Sequence, residues 1–185
     1  MGFLGSLFGA KDKAKQLQPV HLVVDDSVIA GGDITRVIEP LTWSVSITDG
    51  EEKYTSDLNA FTVPQRHVFA LNLYTAKVTG GHHYQFFYDP SGIVWEEVLG
   101  GLEAIGAQKN VDTFKEAMFR IGGSPSKNHK SRKKQIDLLE IDSSAFDDLD
   151  RALVANQADL REMILAYIKA NANDFMFSGE VNKPI

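Results

Sequence analysis

Cysteine is absent from the 185 residues. Disulfides, thiolate metal sites and cysteine nucleophiles are therefore excluded. The absence fits a reducing compartment, and a cytoplasmic location is expected. Long apolar runs are also missing, with none near the ~20 residues that span a bilayer, so no membrane span is expected. Residues 1–10 carry no basic charge, and Lys11, Lys13 and Lys15 follow them. That order does not predict a secretory signal. No GxSxG, P-loop, GxGxxG or HExxH pattern occurs. Serine hydrolase, nucleotide triphosphatase, Rossmann and zinc-protease readings thus lack their defining residues. No catalytic residue, cofactor or metal ligand is assigned, and enzyme activity is not the favoured reading. No repeat of fixed period is visible.

The composition is 43% hydrophobic and 24% charged, with a net charge of −6. It describes an ordinary globular chain, long enough for one domain with a sizeable core. The charge is segregated. Residues 1–107 carry 7 basic and 13 acidic side chains, residues 108–135 carry 8 and 2, and residues 136–185 carry 4 and 10. A basic island of +6 thus lies between two regions of −6 each. The acidic balance disfavours direct DNA binding.

Residues 1–18 read as an apolar and basic N-terminal segment, residues 19–178 as a helical domain, and residues 179–185 as a loose tail. Phe3, Leu4, Leu7 and Phe8 fall at helical spacing, and Gly2 with Ser6 fits the weak myristoylation pattern. A frayed or packed segment is preferred to a lipid anchor. His21-Leu22-Val23-Val24 predicts a short strand or extended connector. Asp25-Asp26 reads as a solvated turn.

Asp33 is suited to cap a helix over 34–47, with Pro40 breaking it. A second helix is expected over 51–61. Pro64 starts a third, whose wide apolar face (Val68, Leu71, Val78) marks it as central. Gly80-Gly81 should end it. Ile93, Val98, Leu102 and Ile105 predict a helix stopped by Gly106. Gly100-Gly101 within it costs about 1 kcal/mol per glycine, which implies a close helix crossing. Asn110 is expected to cap the next helix, along Val111, Phe114 and Met118. Residues 124–134, which include Lys127, His129 and Arg132, read as a solvated loop or helix start. Ser143 or Ser144 is expected to cap a helix over 145–155. Asn156 should start the last long helix, with Leu160, Ile164 and Ile168 inward. The fold class expected is mainly α, a single-domain multi-helix array with one short N-terminal strand or extended segment.

The most distinctive stretch is Gly80-Gly81-His82-His83-Tyr84-Gln85-Phe86-Phe87-Tyr88-Asp89. It reads as a tight corner and short helical turn pinned into the core. Gly80, Gly81, Gln85, Phe86 and Phe87 are its structural residues. Gln85 buried without partners would cost about 1–3 kcal/mol, so its amide is expected to bond backbone near Gly80-Gly81 or Pro90. Adjacent histidines rarely chelate one ion. One imidazole is expected to be buried and hydrogen-bonded, the other exposed.

These residues resemble a known family. Leu71 to Gly92, with the glycine pair, Gln85-Phe86-Phe87 and the turn after Asp89, is similar to the central motif of the bacterial DNA-mimic-protein family. Leu102-Glu103-Ala104-Ile105-Gly106-Ala107 resembles its next signature. Phe146-Asp147-Asp148-Leu149-Asp150, with Tyr167-Ile168 and Phe175, resembles its C-terminal pattern. The likeness covers about residues 60–177, and Thr79 and Asp89 stand where the family pattern has asparagine. It implies an all-helical fold. A characterised member presents acidic surface that imitates DNA and binds a DNA-binding regulator.

Asp142, Asp147, Asp148, Asp150, Asp159 and Glu162 are the expected partner-binding residues. The favoured function is a non-catalytic acidic interaction module, DNA-mimic-like, for a basic protein. Two alternatives stand beside it. One is a metal-dependent hydrolase using His82, His83 and Asp89. The other is a structural, self-associating domain that forms a homodimer.

Overall fold

The computed structural model describes residues 17–184. The expectations for Phe3, Leu4, Leu7, Phe8 and the Gly2–Ser6 pattern lie outside the described residues. The described chain is mainly α. Strand β1 (Leu17–Val24) leads into three short helices, α1 (Asp26–Ala30), α2 (Ile34–Val37) and α3 (Glu39–Ser44). Asp25 accepts from Ser27 N and Val28 N, so this aspartate is a helix cap rather than a free turn residue. Asp33 caps α2 in the same way. Pro40 sits in the first turn of α3, where its missing N–H costs nothing. The break expected at Pro40 thus falls just before it, at Ile38, and divides the segment into two helices, the second ending at Ser44.

Helix α4 (Glu51–Leu58) precedes the central helix α5 (Val63–Gly80). Thr62 and Gln65 form a capping box at the start of α5, satisfying two otherwise orphaned groups. Val68, Ala70, Leu71, Tyr74 and Val78 are fully or nearly fully buried along it. Helices α6 (His83–Tyr88), α7 (Trp95–Ala104) and α8 (Gln108–Arg120) follow, with a 3-10 turn (Pro90–Val94) between the first two. The expected helix from Ile93 begins as that 3-10 turn.

A Cβ on Gly101 would lie 3.1 Å from Leu71 Cδ1. The glycine thus lets α7 approach α5, as the sequence implied. Gly106 stops α7 at φ +73, a conformation that other residues rarely adopt. Asn110 does not cap α8. The helix starts earlier, from Ala107, and Asn110 lies buried inside it.

Helix α9 (His129–Asp137), capped by Asn128, takes up the C-terminal end of the basic island. A 3-10 turn (Ser143–Phe146) then leads into α10 (Asp147–Ala155), α11 (Gln157–Ala170) and α12 (Ala172–Phe175). Asp142, not a serine, caps the 3-10 turn by accepting from Ser144 N at 2.9 Å. Strand β2 (Phe177–Pro184) closes the described chain.

Residues 179–184 of the segment expected as a tail therefore belong to a strand. Strand β2 pairs antiparallel with β1, from Leu17 opposite Pro184 to Val24 opposite Phe177. Its side chains alternate, with Val181 buried and Glu180 and Asn182 exposed, the period of a half-buried strand. The ribbon packs on α3, and Phe177 stacks on Phe61 at 6.3 Å. Among the described residues no helix is long and apolar enough to cross a membrane.

Candidate functional site

The aromatic corner folds as a packed joint. Thr79 and Gly80 end α5, and Gly81 turns the chain with a virtual Cβ only 3.0 Å from Lys77 O. No such close approach constrains Gly80. Phe86 and Phe87 are fully buried. Their rings meet Tyr74 and Phe114 edge-on or stacked at 5.0 to 6.0 Å. This aromatic cluster fixes α6 against α5 and α8.

Gln85 departs from its expected role. It is exposed, and its amide donates to Asp89 Oδ1 at 2.6 Å rather than to the backbone. The helical turn points it outward because Phe86 and Phe87 take the inward positions. The backbone near Pro90 is held instead by Arg132. This guanidinium is completely buried. It donates to Phe87 O at 2.6 Å, Asp89 O at 2.7 Å and Ser126 O at 2.6 Å. Among the described residues it pairs with no carboxylate. Burial lowers its pKa to about 10. In sequence it sits in a polar run, and only Ile136 one turn later hints that it faces inward.

The two histidines divide as expected, one buried and one exposed. His83 is fully buried, and its Nε2 meets the Tyr74 hydroxyl at 2.7 Å. Burial, and then the Asp150 charge, raises the Tyr74 pKa, so the phenol keeps its proton and can donate. His83 Nδ1 and backbone N both reach Asp150 Oδ1, at 2.6 and 2.9 Å. The half-exposed His82 reaches Asp150 Oδ2 through Nδ1 at 2.8 Å. Burial works to raise the Asp150 carboxyl, but the bonds from His83 and His82 outweigh it and hold the carboxyl below its ordinary value. Asp89 does not join this group. It bonds Lys77 at 3.2 Å as well as Gln85, so a His82/His83/Asp89 cluster does not form.

The six carboxylates expected to bind a partner have different fates. Asp150 is not displayed: it is 9% exposed and committed to the histidines. The reason is readable in hindsight, since Phe146, Leu149, Asp150 and Leu153 share the inward spacing of α10. Asp148 is outward but held in a two-point pair by Arg120, at 2.6 and 2.9 Å. That hydrogen bonding lowers its pKa to about 2. Asp142 is exposed, and one of its oxygens serves as the cap. Asp147, Asp159 and Glu162 are exposed, with no ion-pair partner among the described residues. They lie on the successive helices α10 and α11.

The fold and this surface define a helical module with a terminal β-ribbon, a sealed aromatic joint and carboxylates on its outer helices. Residues 59–171 match the model of the DMP19-like protein family. That is well over half of the chain, which therefore belongs to this family. Comparisons with curated proteins and with solved structures gave no match.

Proposed function

We propose that this protein is a non-catalytic acidic interaction module that binds a basic protein, such as a DNA-binding regulator, in the manner of a DNA mimic. Family membership supports this reading, and the exposed, unpaired Asp147, Asp159 and Glu162 carry it furthest. Unpaired surface carboxylates keep their full field. They can steer a cationic partner and take the place of backbone phosphates against its lysines and arginines. Carboxylates already matched by a guanidinium, as Asp148 is by Arg120, contribute little net field.

The test immobilises the full chain, captures basic DNA-binding proteins, and measures retention against salt and against added duplex DNA. A mimic's complex should weaken steeply with salt, because counterion release governs such contacts. Duplex DNA should compete, while labelled duplex alone should not bind the chain. Retention insensitive to both salt and DNA would refute the reading.

A further inference from the structure

Asp147 and Asp150 lie one turn apart at the start of α10, so both carboxylates project to the same side. His82, the residue just before α6, faces them from across the joint. One donor atom from each of His82, Asp147 and Asp150 lies within 4.8 Å of the others. Asp150 is held from behind. Its Oδ1 accepts from His83 N and Nδ1, and Tyr74 fixes His83 in turn. Oδ2 is left turned toward His82. Asp147 has no Lys or Arg partner among the described residues. Two carboxylates and one imidazole thus converge without a fixed cation.

We propose that His82, Asp147 and Asp150 form an open binding site for a divalent transition-metal ion of the zinc type. Zinc takes one imidazole nitrogen and carboxylate oxygens at about 2.0–2.2 Å, leaving a fourth position open in three-ligand sites. Tetrahedral bonds of that length place ligands about 3.3 Å apart. The ion takes the place of the proton between His82 Nδ1 and Asp150 Oδ2, now 2.8 Å apart, and the imidazole stays neutral because that proton moves through water to its Nε2, leaving the Nδ1 lone pair for the metal. His82 and Asp147 are exposed, so their side chains can turn to bring donor atoms now within 4.8 Å of one another to that spacing. The imidazole favours zinc-class ions over magnesium or calcium, which prefer all-oxygen shells. The N-terminal dipole of α10 opposes a cation with roughly half a charge, against two full carboxylate charges. The buried His83 and Tyr74 supply the outer support that metal ligands generally require. This site goes beyond the partner-binding reading and does not depend on it.

The test uses the full chain, purified without a tag and stripped with a chelator. Zinc chloride and magnesium chloride are titrated separately by calorimetry, and melting is followed with each ion. One zinc per chain is expected, with a melting temperature that rises with zinc concentration. His82→Ala and Asp147→Asn should each weaken zinc binding at least tenfold and remove the melting shift, while far-UV dichroism stays wild-type. Glu140→Gln should change neither. No saturable zinc binding, equal binding in both variants, or magnesium bound as tightly as zinc would each overturn the proposal.

Discussion

Asp150→Ala is the most informative perturbation of the joint. The carboxylate accepts three hydrogen bonds, from His83 N at 2.9 Å, His83 Nδ1 at 2.6 Å and His82 Nδ1 at 2.8 Å. The two His83 donors are buried and have no water to turn to. Leaving a buried donor unsatisfied costs about 1–3 kcal/mol, while the exposed His82 is rehydrated at little cost. The variant should therefore lose about 3–5 kcal/mol of stability, two such penalties taken together. At this chain length each kcal/mol shifts melting by about 2–4 °C, so a drop of about 6–20 °C is expected.

Urea unfolding and thermal melting on metal-free protein both read it. Asp147→Ala, one turn away and exposed, should stay within about 0.5 kcal/mol of wild type. The pH dependence gives a second readout. The folded carboxyl is held below its ordinary value of 3.8. Its contribution is therefore complete above pH 3.8 and is lost as pH falls through the folded pKa. Wild type and Asp150→Asn should differ in stability near neutral pH and converge in acid. An Asp150→Ala protein melting within 2 °C of wild type would refute the role of the joint.

Arg132→Met should be severely destabilising, by about 3–5 kcal/mol. It fills similar volume but orphans the carbonyls of Phe87, Asp89 and Ser126, and chemical denaturation checks the loss. Gly92→Ala should lower melting through the same contact, because its Cβ would lie 2.6 Å from Arg132 Nε and 2.9 Å from Phe87 O. Overpacking of that kind costs about 1–3 kcal/mol. Removing residues 177–185 strips β2 from β1 and uncovers Phe61. Melting should fall, and amide exchange across residues 17–24 should accelerate toward that of an unpaired strand.

Much of the helical framework was legible because it is local. Asp33, Pro64 and Gly106 announce their helix ends within a turn. Gly101 announced a close crossing because a mid-helix glycine needs a reason. The division of His82 and His83 into one exposed and one buried ring was legible from their adjacency on a turn, but their meeting on one carboxylate, Asp150, was not. What stayed hidden depends on distant partners. Strand β2 offers Val181 as its one fully buried side chain, and its mate is at the other end of the chain. The burial of Arg132 depends on carbonyls contributed by the corner around Phe87 to Pro90. Gln85 was misread by weighing its aromatic neighbours rather than which side of one helical turn it occupies. Asp150 was misread by counting it among charges, although its spacing from Leu149 and Leu153 placed it inward.

The outward acids away from the joint are tested most directly by neutralising them together. The measurement is the affinity of an Asp159→Asn, Glu162→Gln protein for the captured basic partner at low salt, beside its melting temperature. Affinity should fall at least tenfold and the salt dependence should flatten, with melting within about 2 °C of wild type, as expected for surface substitutions. Unchanged affinity at unchanged melting would contradict the account.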